Sequence, residues 1–206
     1  MRLGKAIAER LRAEGWRVIT SSHRADAGAD IVADLAEPMG PAKLYAAALQ
    51  ILGGMPPDAL VNNAALFTGD AAAIAVVNLE APKKLTMLMA GRETGVGSIV
   101  NILDTKALDA YRRLPTSTDA YLVSKRELFA YTRASAATFA ATLRVNGVAP
   151  GPVLAPKDVH VKAGETLLDR RPTADDVAAA VSYLLDAESV TGTVIPVDAG
   201  QHLVEV

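Results

Sequence analysis

The sequence predicts a doubly wound α/β fold, with one parallel sheet between two layers of helices. Short apolar or β-branched runs alternate with helical patterns of ten or more residues along the whole chain. Such crossovers pack right-handed onto a parallel sheet and cover both of its faces. Half of the 206 residues are apolar and 21% are charged, enough to build one buried core. No linker, repeat or low-complexity tract interrupts them, so residues 1–206 read as a single domain.

Each element has its own signal. Ile7, Ala8 and Leu11 recur at helical spacing and Gly15 supplies a left-handed stop, which predicts a helix over residues 4–14. A β-rich run follows at Trp16–Thr20, then a short strand at Asp30–Ala33. Pro41, suited to a first helical turn, opens a helix to Leu52, and Ala59–Val61 is a strand ending in Asn62-Asn63. One helix is expected over Ala72–Ala90, a strand over Ser98–Leu103 and a long helix from Asp119 to about Ala141. Leu143–Val148 forms a strand stopped by Pro150-Gly151, and residues 152–172 read as a long loop or lid. Thr173 and Asp176 have capping-box spacing ahead of a helix to Leu185, and Thr193–Val197 makes the last strand.

Composition excludes several functions. A net charge of −2 with 4% aromatic residues leaves nucleic acid no basic footprint. The absence of cysteine removes disulfides, thiolate metal sites and cysteine nucleophiles, and fits a cytoplasmic chain. His23, His160 and His202 are scattered, so no metal site is expected. The longest apolar run, Ala71–Val77, falls far below the roughly 20 residues of a membrane helix. The N-terminus lacks the apolar core of a secretory signal, and a soluble protein acting on a small molecule is expected.

In doubly wound sheets ligands bind beyond the carboxyl ends of the strands, which directs attention to the residues after Thr20, Ala33, Val61, Leu103 and Val148. On the long helix Tyr121 and Lys125 stand four apart, hence on one face. An ammonium there is expected to lower the phenol from its ordinary pKa of about 10 and make it a proton donor or acceptor. An exposed helix pair has the same spacing.

Further motifs occur in a fixed order: Asp34-Leu35, Asn62-Asn63-Ala64-Ala65, Asn78, Tyr121-Leu-Val-Ser-Lys125, Arg144 through Pro150-Gly151, Val190-Thr-Gly192 and Val197-Asp198. Together they resemble the short-chain dehydrogenase/reductase family, with its Rossmann-like three-layer fold, over residues 2–202. The resemblance implies an NAD(P)-dependent oxidoreductase and a homodimer or homotetramer packed through the long central helices. It implies that Tyr121 supplies or relays a proton, Lys125 binds the nicotinamide ribose, and Asn78 holds a relay water. It places Asp34, Leu35, Asn63, Ala64, Ala65, Pro150 and Gly151 on the cofactor.

Three features resemble the pteridine reductase branch. Arg2-Leu3-Gly4 is similar to the end of its phosphate loop, which puts Arg2 and Gly4 at the cofactor. Phe67 falls where that branch stacks a pterin, and Asp104 stands where most of the wider family has serine. An aromatic platform and a carboxyl group suit a flat heterocycle with ring nitrogens. Ordinary packing of Phe67 and a loop cap at Asp104 are the structural alternatives. The segment Ser21-Ser22-His23-Arg24 has no acid for a ribose hydroxyl, which predicts NADPH with Arg24 as main cation beside His23.

Against the family pattern, the chain starts inside the phosphate loop, so a first central strand is missing. The sheet is expected to close up or lose a pair of interior ladders, with cofactor affinity falling. Ten residues separate Phe67 from Asn78, a short segment for the family. Asp104 precedes Tyr121 by seventeen positions, so Asp119 or Ser117 competes for its place. The leading expectation is reduction of a dihydropterin- or dihydrofolate-like substrate. The alternatives are a carbonyl or alcohol oxidoreductase, or a noncatalytic relative serving as an interaction subunit.

Overall fold

The computed structural model describes residues 3–93, 95–108, 119–153 and 166–204. Helix α1 (Leu3–Ala13) is followed by strand β1 (Ser21–Ser22), a 3-10 turn at Ala25–Ala27, β2 (Ile31–Val32), α2 (Gly40–Ile51) and β3 (Ala59–Asn62). Then come α3 (Ala71–Ala75), a π-helical turn (Val76–Glu80), α4 (Ala81–Ala90), β4 (Gly97–Ile102) and a 3-10 turn at Thr105–Ala107. Helix α5 (Ala120–Thr138), β5 (Leu143–Pro150), α6 (Ala174–Asp186), β6 (Val194–Val197) and the short α7 (Gln201–Val204) complete the order. Most of the expected loop at 152–172 lies outside the described residues. No helix among the described residues is long and apolar enough to cross a membrane.

The expected helix over residues 72–90 is interrupted for a local reason. Asp70 caps its start, its Oδ2 accepting the N–H groups of Ala72 and Ala73. Pro82 has no N–H to offer the Asn78 carbonyl, and the chain widens to a π turn immediately before it. Helix α6 starts as expected, with Thr173 and Asp176 capping each other reciprocally. At its far end the Arg144 guanidinium donates to Leu184 O at 2.9 Å, Leu185 O at 2.5 Å and Val190 O at 3.1 Å, replacing the missing donors of the last turn.

The sheet is split. Strands β3-β4-β5-β6 form one parallel sheet, and β1-β2 form a separate parallel pair. No ladder joins β1 to β3 among the described residues, so the expected loss of interior ladders is realised and the sheet has not closed up. Only Ser21–Ser22 pair, whereas Trp16–Thr20 carry no ladder of their own, which corrects the expected strand there. The two margins of the larger sheet differ. Pro196 sits in β6, where it blocks further pairing, while β3 reads Ala-Leu-Val-Asn like an interior strand.

The core lies on both faces of the larger sheet. On one, Ile7 and Leu11 of α1 meet Val100, Val148 and the α6 residues Val177, Val181 and Leu184. On the other, Met89 of α4 and Ala136 of α5 meet Ile99, Leu143 and Val145. A buried polar row crosses the sheet between them: Asn62 Nδ2 donates to Asn101 Oδ1 at 2.8 Å, and Asn101 Nδ2 to Thr132 Oγ1 at 2.9 Å. Each member is satisfied, so the row fixes the β3–β4 register without an orphaned group.

Candidate active site

Beyond Ile102 the chain leaves β4 at its carboxyl end, where α5 begins. Asp119 caps that helix, its Oδ1 accepting the Tyr121 N–H at 2.9 Å. One turn apart, Tyr121 and Lys125 are both buried. The Lys125 Nζ donates to Ile102 O at 2.7 Å and lies 5.8 Å from the centre of the Tyr121 ring. The Tyr121 hydroxyl donates to Asp104 Oδ2 at 3.1 Å, while Asp104 Oδ1 accepts the Lys106 N–H at 2.9 Å. Seventeen positions therefore do not keep Asp104 away, and it caps its own turn as well. Ser117 lies outside the described residues.

The electrostatics reverse one expectation. Tyr121 is pushed well above the ordinary phenol value, first by burial, then by the Asp104 charge and the hydrogen bond to it, and then by the Asp119 charge. Lys125 does not lower it. Instead burial pulls Lys125 itself down to about 8, partly offset by the Asp104 carboxylate. Desolvation disfavours both charged forms, tyrosinate and ammonium alike. At neutral pH the phenol is a proton donor, and the lysine is the group that titrates nearby.

Asn78 sits in the π turn, fully buried. Its Nδ2 donates to Leu66 O at 2.9 Å and Ser124 Oγ at 3.1 Å, and its Oδ1 accepts the Leu66 N–H at 2.7 Å. Ser124 Oγ in turn donates to Tyr121 O at 2.7 Å. The amide thus anchors the residue before Phe67 to helix α5. Phe67 is 70% exposed, and its ring lies 4.1 Å from that of Tyr121 with a tilt of 32°. An apolar plane faces solvent beside the proton donor.

The nucleotide residues are placed more openly. Asn63 is half-buried against the start of α1, where a Cβ on Gly4 would come 2.6 Å from its Nδ2; Ala64 and Ala65 are exposed. Arg2 lies outside the described residues. His23 and Arg24 are exposed after β1, and Arg24 forks onto Asp26 through Nε at 2.9 Å and Nη2 at 2.5 Å. Asp34 Oδ1 accepts the Ala36 N–H at 2.8 Å, with Leu35 half-buried beside it. Gly40 packs on this turn so closely that a Cβ would lie 1.9 Å from Asp34 O. Pro150 is buried at the end of β5, and the Gly151 N–H donates to Val197 O at 3.0 Å. The structure therefore joins Tyr121, Lys125, Asp104, Asn78 and Phe67 in one cluster, while Arg24 and Asp34 hold local partners.

Sequence reasoning missed Ser124, although it stands inside Tyr-Leu-Val-Ser-Lys one position before the lysine. It also assigned no role to Thr105, whose hydroxyl donates to Asp198 Oδ2 at 2.6 Å.

Residues 55–202 match the family model described as enoyl-(acyl carrier protein) reductase. The chain is 32% identical to a protein of Streptomyces violaceoruber assigned to granaticin polyketide synthase as its ketoacyl reductase 2, over 98% of this chain and 92% of that one. It is 28% identical to pteridine reductase 1 of Leishmania tarentolae, covering 98% and 93%. Among solved structures, FolM alternative dihydrofolate reductase 1 from Brucella canis, complexed with NADP, superposes with a TM-score of 0.85 at 31% identity, covering 98% of this chain and 91% of that one. The chain belongs to the short-chain dehydrogenase/reductase family of NAD(P)-dependent oxidoreductases.

Proposed function

We propose that this chain is an NADPH-dependent reductase of a dihydropterin- or dihydrofolate-like ring, acting as a single domain in the cytoplasm and assembled as a homodimer or homotetramer. One observation carries the reading: a neutral Tyr121 hydroxyl rests on the Asp104 carboxylate, with the exposed Phe67 ring alongside. Both similar reductases, the pteridine reductase and the NADP-bound dihydrofolate reductase, favour the same substrate class. NADPH, when bound, supplies a hydride to a C=N bond.

The residues present fit such a cofactor. Gly4 packs against Asn63 and Gly151 against Asp198 too closely for a Cβ, which gathers the start of α1 and the ends of β3, β5 and β6 along the carboxyl edge of the sheet, where a dinucleotide binds in this fold class. Asn63, Ala64, Ala65 and Pro150 would line it, Asp34 and Leu35 would flank the adenine side, and Arg2, His23 and Arg24 would meet its phosphates. Lys125 would hold the nicotinamide ribose in exchange for Ile102 O. Phe67 stacks the substrate, Asp104 orients a ring nitrogen, and Tyr121 donates or relays the proton. Asn78 steadies the helix and the Phe67 segment, and it would hold a relay water by giving up one of these contacts.

Dihydropterin-dependent NADPH oxidation, followed at 340 nm, tests this directly. Turnover that survives Tyr121→Phe unchanged overturns the mechanism, and NADH binding as tight as NADPH overturns the cofactor. A carbonyl oxidoreductase is the second reading, favoured by the similarity to the granaticin protein. Activity on simple ketones and none on dihydropterins decides for it.

A further inference from the structure

Thr105, the residue after Asp104, is 1% exposed, and its hydroxyl donates to Asp198 Oδ2. Asp198 follows β6 and is 2% exposed. Its Oδ1 also accepts the Gly200 N–H at 3.0 Å, and its Oδ2 the His202 N–H at 2.8 Å. The His202 ring faces it with Nδ1 2.8 Å from Oδ2 and 3.0 Å from Oδ1. Burial pushes this carboxyl up, but the Thr105 hydroxyl, the His202 N–H and the His202 ring outweigh it and hold it below its ordinary value. An ionised carboxylate only accepts, so His202 Nδ1 is the donor.

The same residue touches a third strand end. A Cβ on Gly151, just past β5, would lie 2.7 Å from Asp198 Cβ. The ends of β4, β5 and β6 therefore converge on one side chain. Among the described residues Asp198 makes no hydrogen bond to Tyr121, Lys125 or Asp104, and Thr105 is its hydrogen-bonded link to the turn that carries Asp104.

We propose that Asp198, itself held by His202, is a positioning residue: through Thr105 it fixes the turn at Thr105–Ala107 and so sets the Asp104 carboxylate against the Tyr121 hydroxyl. This rests on the reading of Asp104 and Tyr121 as a working pair and extends it to residues of the last strand. A carboxylate that also caps its own turn moves whenever the turn moves, and small displacements of a reacting group are costly in rate.

The test uses the full chain with Thr105→Val, Thr105→Ser and Asp198→Asn. Turnover and NADPH affinity are measured beside the NMR signal of 13C-labelled tyrosine Cζ, with Tyr121 assigned by its loss in Tyr121→Phe. Thr105→Val is expected to lower kcat by about ten- to a hundredfold, leave NADPH binding unchanged and move the Tyr121 signal. Thr105→Ser keeps the hydroxyl and restores both, and Asp198→Asn falls between. A Thr105→Val protein with wild-type kcat and an unmoved Tyr121 signal overturns the proposal, as does a serine variant as impaired as the valine one. Should Thr105→Val not fold, Asp198→Asn decides, and an unmoved signal there overturns it. If the wild type turns over no substrate, the proposed function fails, while the Tyr121 signal still judges the positioning.

Discussion

The carboxyl end of the four-stranded sheet and the small β1–β2 pair are built to different standards. At the first, Tyr121, Lys125, Asn78 and Thr105 are buried and each polar tip has a named partner. At the second, the two-residue strands are flanked by the exposed His23 and Arg24 and carry the exposed Val32; their tight polar contacts, Arg24 with Asp26 and Thr20 with Asp30, stay within the pair and its turn. Proton chemistry needs fixed geometry, and here it is fixed by strands β4 to β6 and helix α5, none of which depends on the split. On the proposed reading the nucleotide spans the split. The proposed reaction centre is the tightly held region, and the proposed nucleotide end the more openly placed one.

The largest expected effect lies at the reaction centre. Tyr121→Phe removes the proton donor and should lower kcat by at least about a hundredfold with little change in KM for NADPH. A stability contrast comes next. Leu143→Ala in the core of the larger sheet is expected to cost about 2–5 kcal/mol, whereas Val32→Ala, at a side chain 55% exposed, stays within about 0.5 kcal/mol. Urea denaturation of both variants checks this, and equal losses break the comparison.

The third effect concerns pH. Lys125 sits near 8 in the fold and above 10 unfolded, so between those values the unfolded chain holds the extra proton. Stability attributable to this group therefore rises with pH across that window and is lowest below it. On the proposed role of Lys125 at the ribose, activity runs the other way, because the ammonium is lost as pH rises, and kcat/KM should fall through an apparent pKa near 8. Lys125→Met removes the rising limb in pH-dependent unfolding. The smallest effect lies at the nucleotide end. Arg24→Ala should raise KM for NADPH a few-fold and leave that for NADH unchanged, since an exposed cation contributes little; an equal rise for both sinks the assignment.

Much of the fold was legible because its signals are local. The Thr173 capping box, Gly15 after α1 and the apolar strands all mark elements through a few adjacent residues. The π turn was not, since a single helical period covers residues 72–90 and only the position of Pro82 marks the break. Motif order left two outcomes open, a sheet closed up or one that loses interior ladders, and hydropathy could not choose between them, since it reads Trp16–Thr20 as a strand whether or not a neighbour exists. In the site, spacing found Tyr121 and Lys125, and the resemblance found Asp104, Asn78 and Phe67. The direction of the Tyr121 shift was hidden, because burial and the Asp104 contact are tertiary and outweigh a lysine one turn away. Thr105 and Asp198 are 93 positions apart, and nothing local links them.

Asp104 does two jobs with two oxygens, one capping the following turn and one receiving the phenol. Serine and aspartate are nearly interchangeable as caps, yet only aspartate brings a negative charge. A serine there could keep the cap but not the contact between a carboxylate and the phenol. On the proposed reading, position 104 is therefore a place where the substrate repertoire can drift without the scaffold having to be refolded around it.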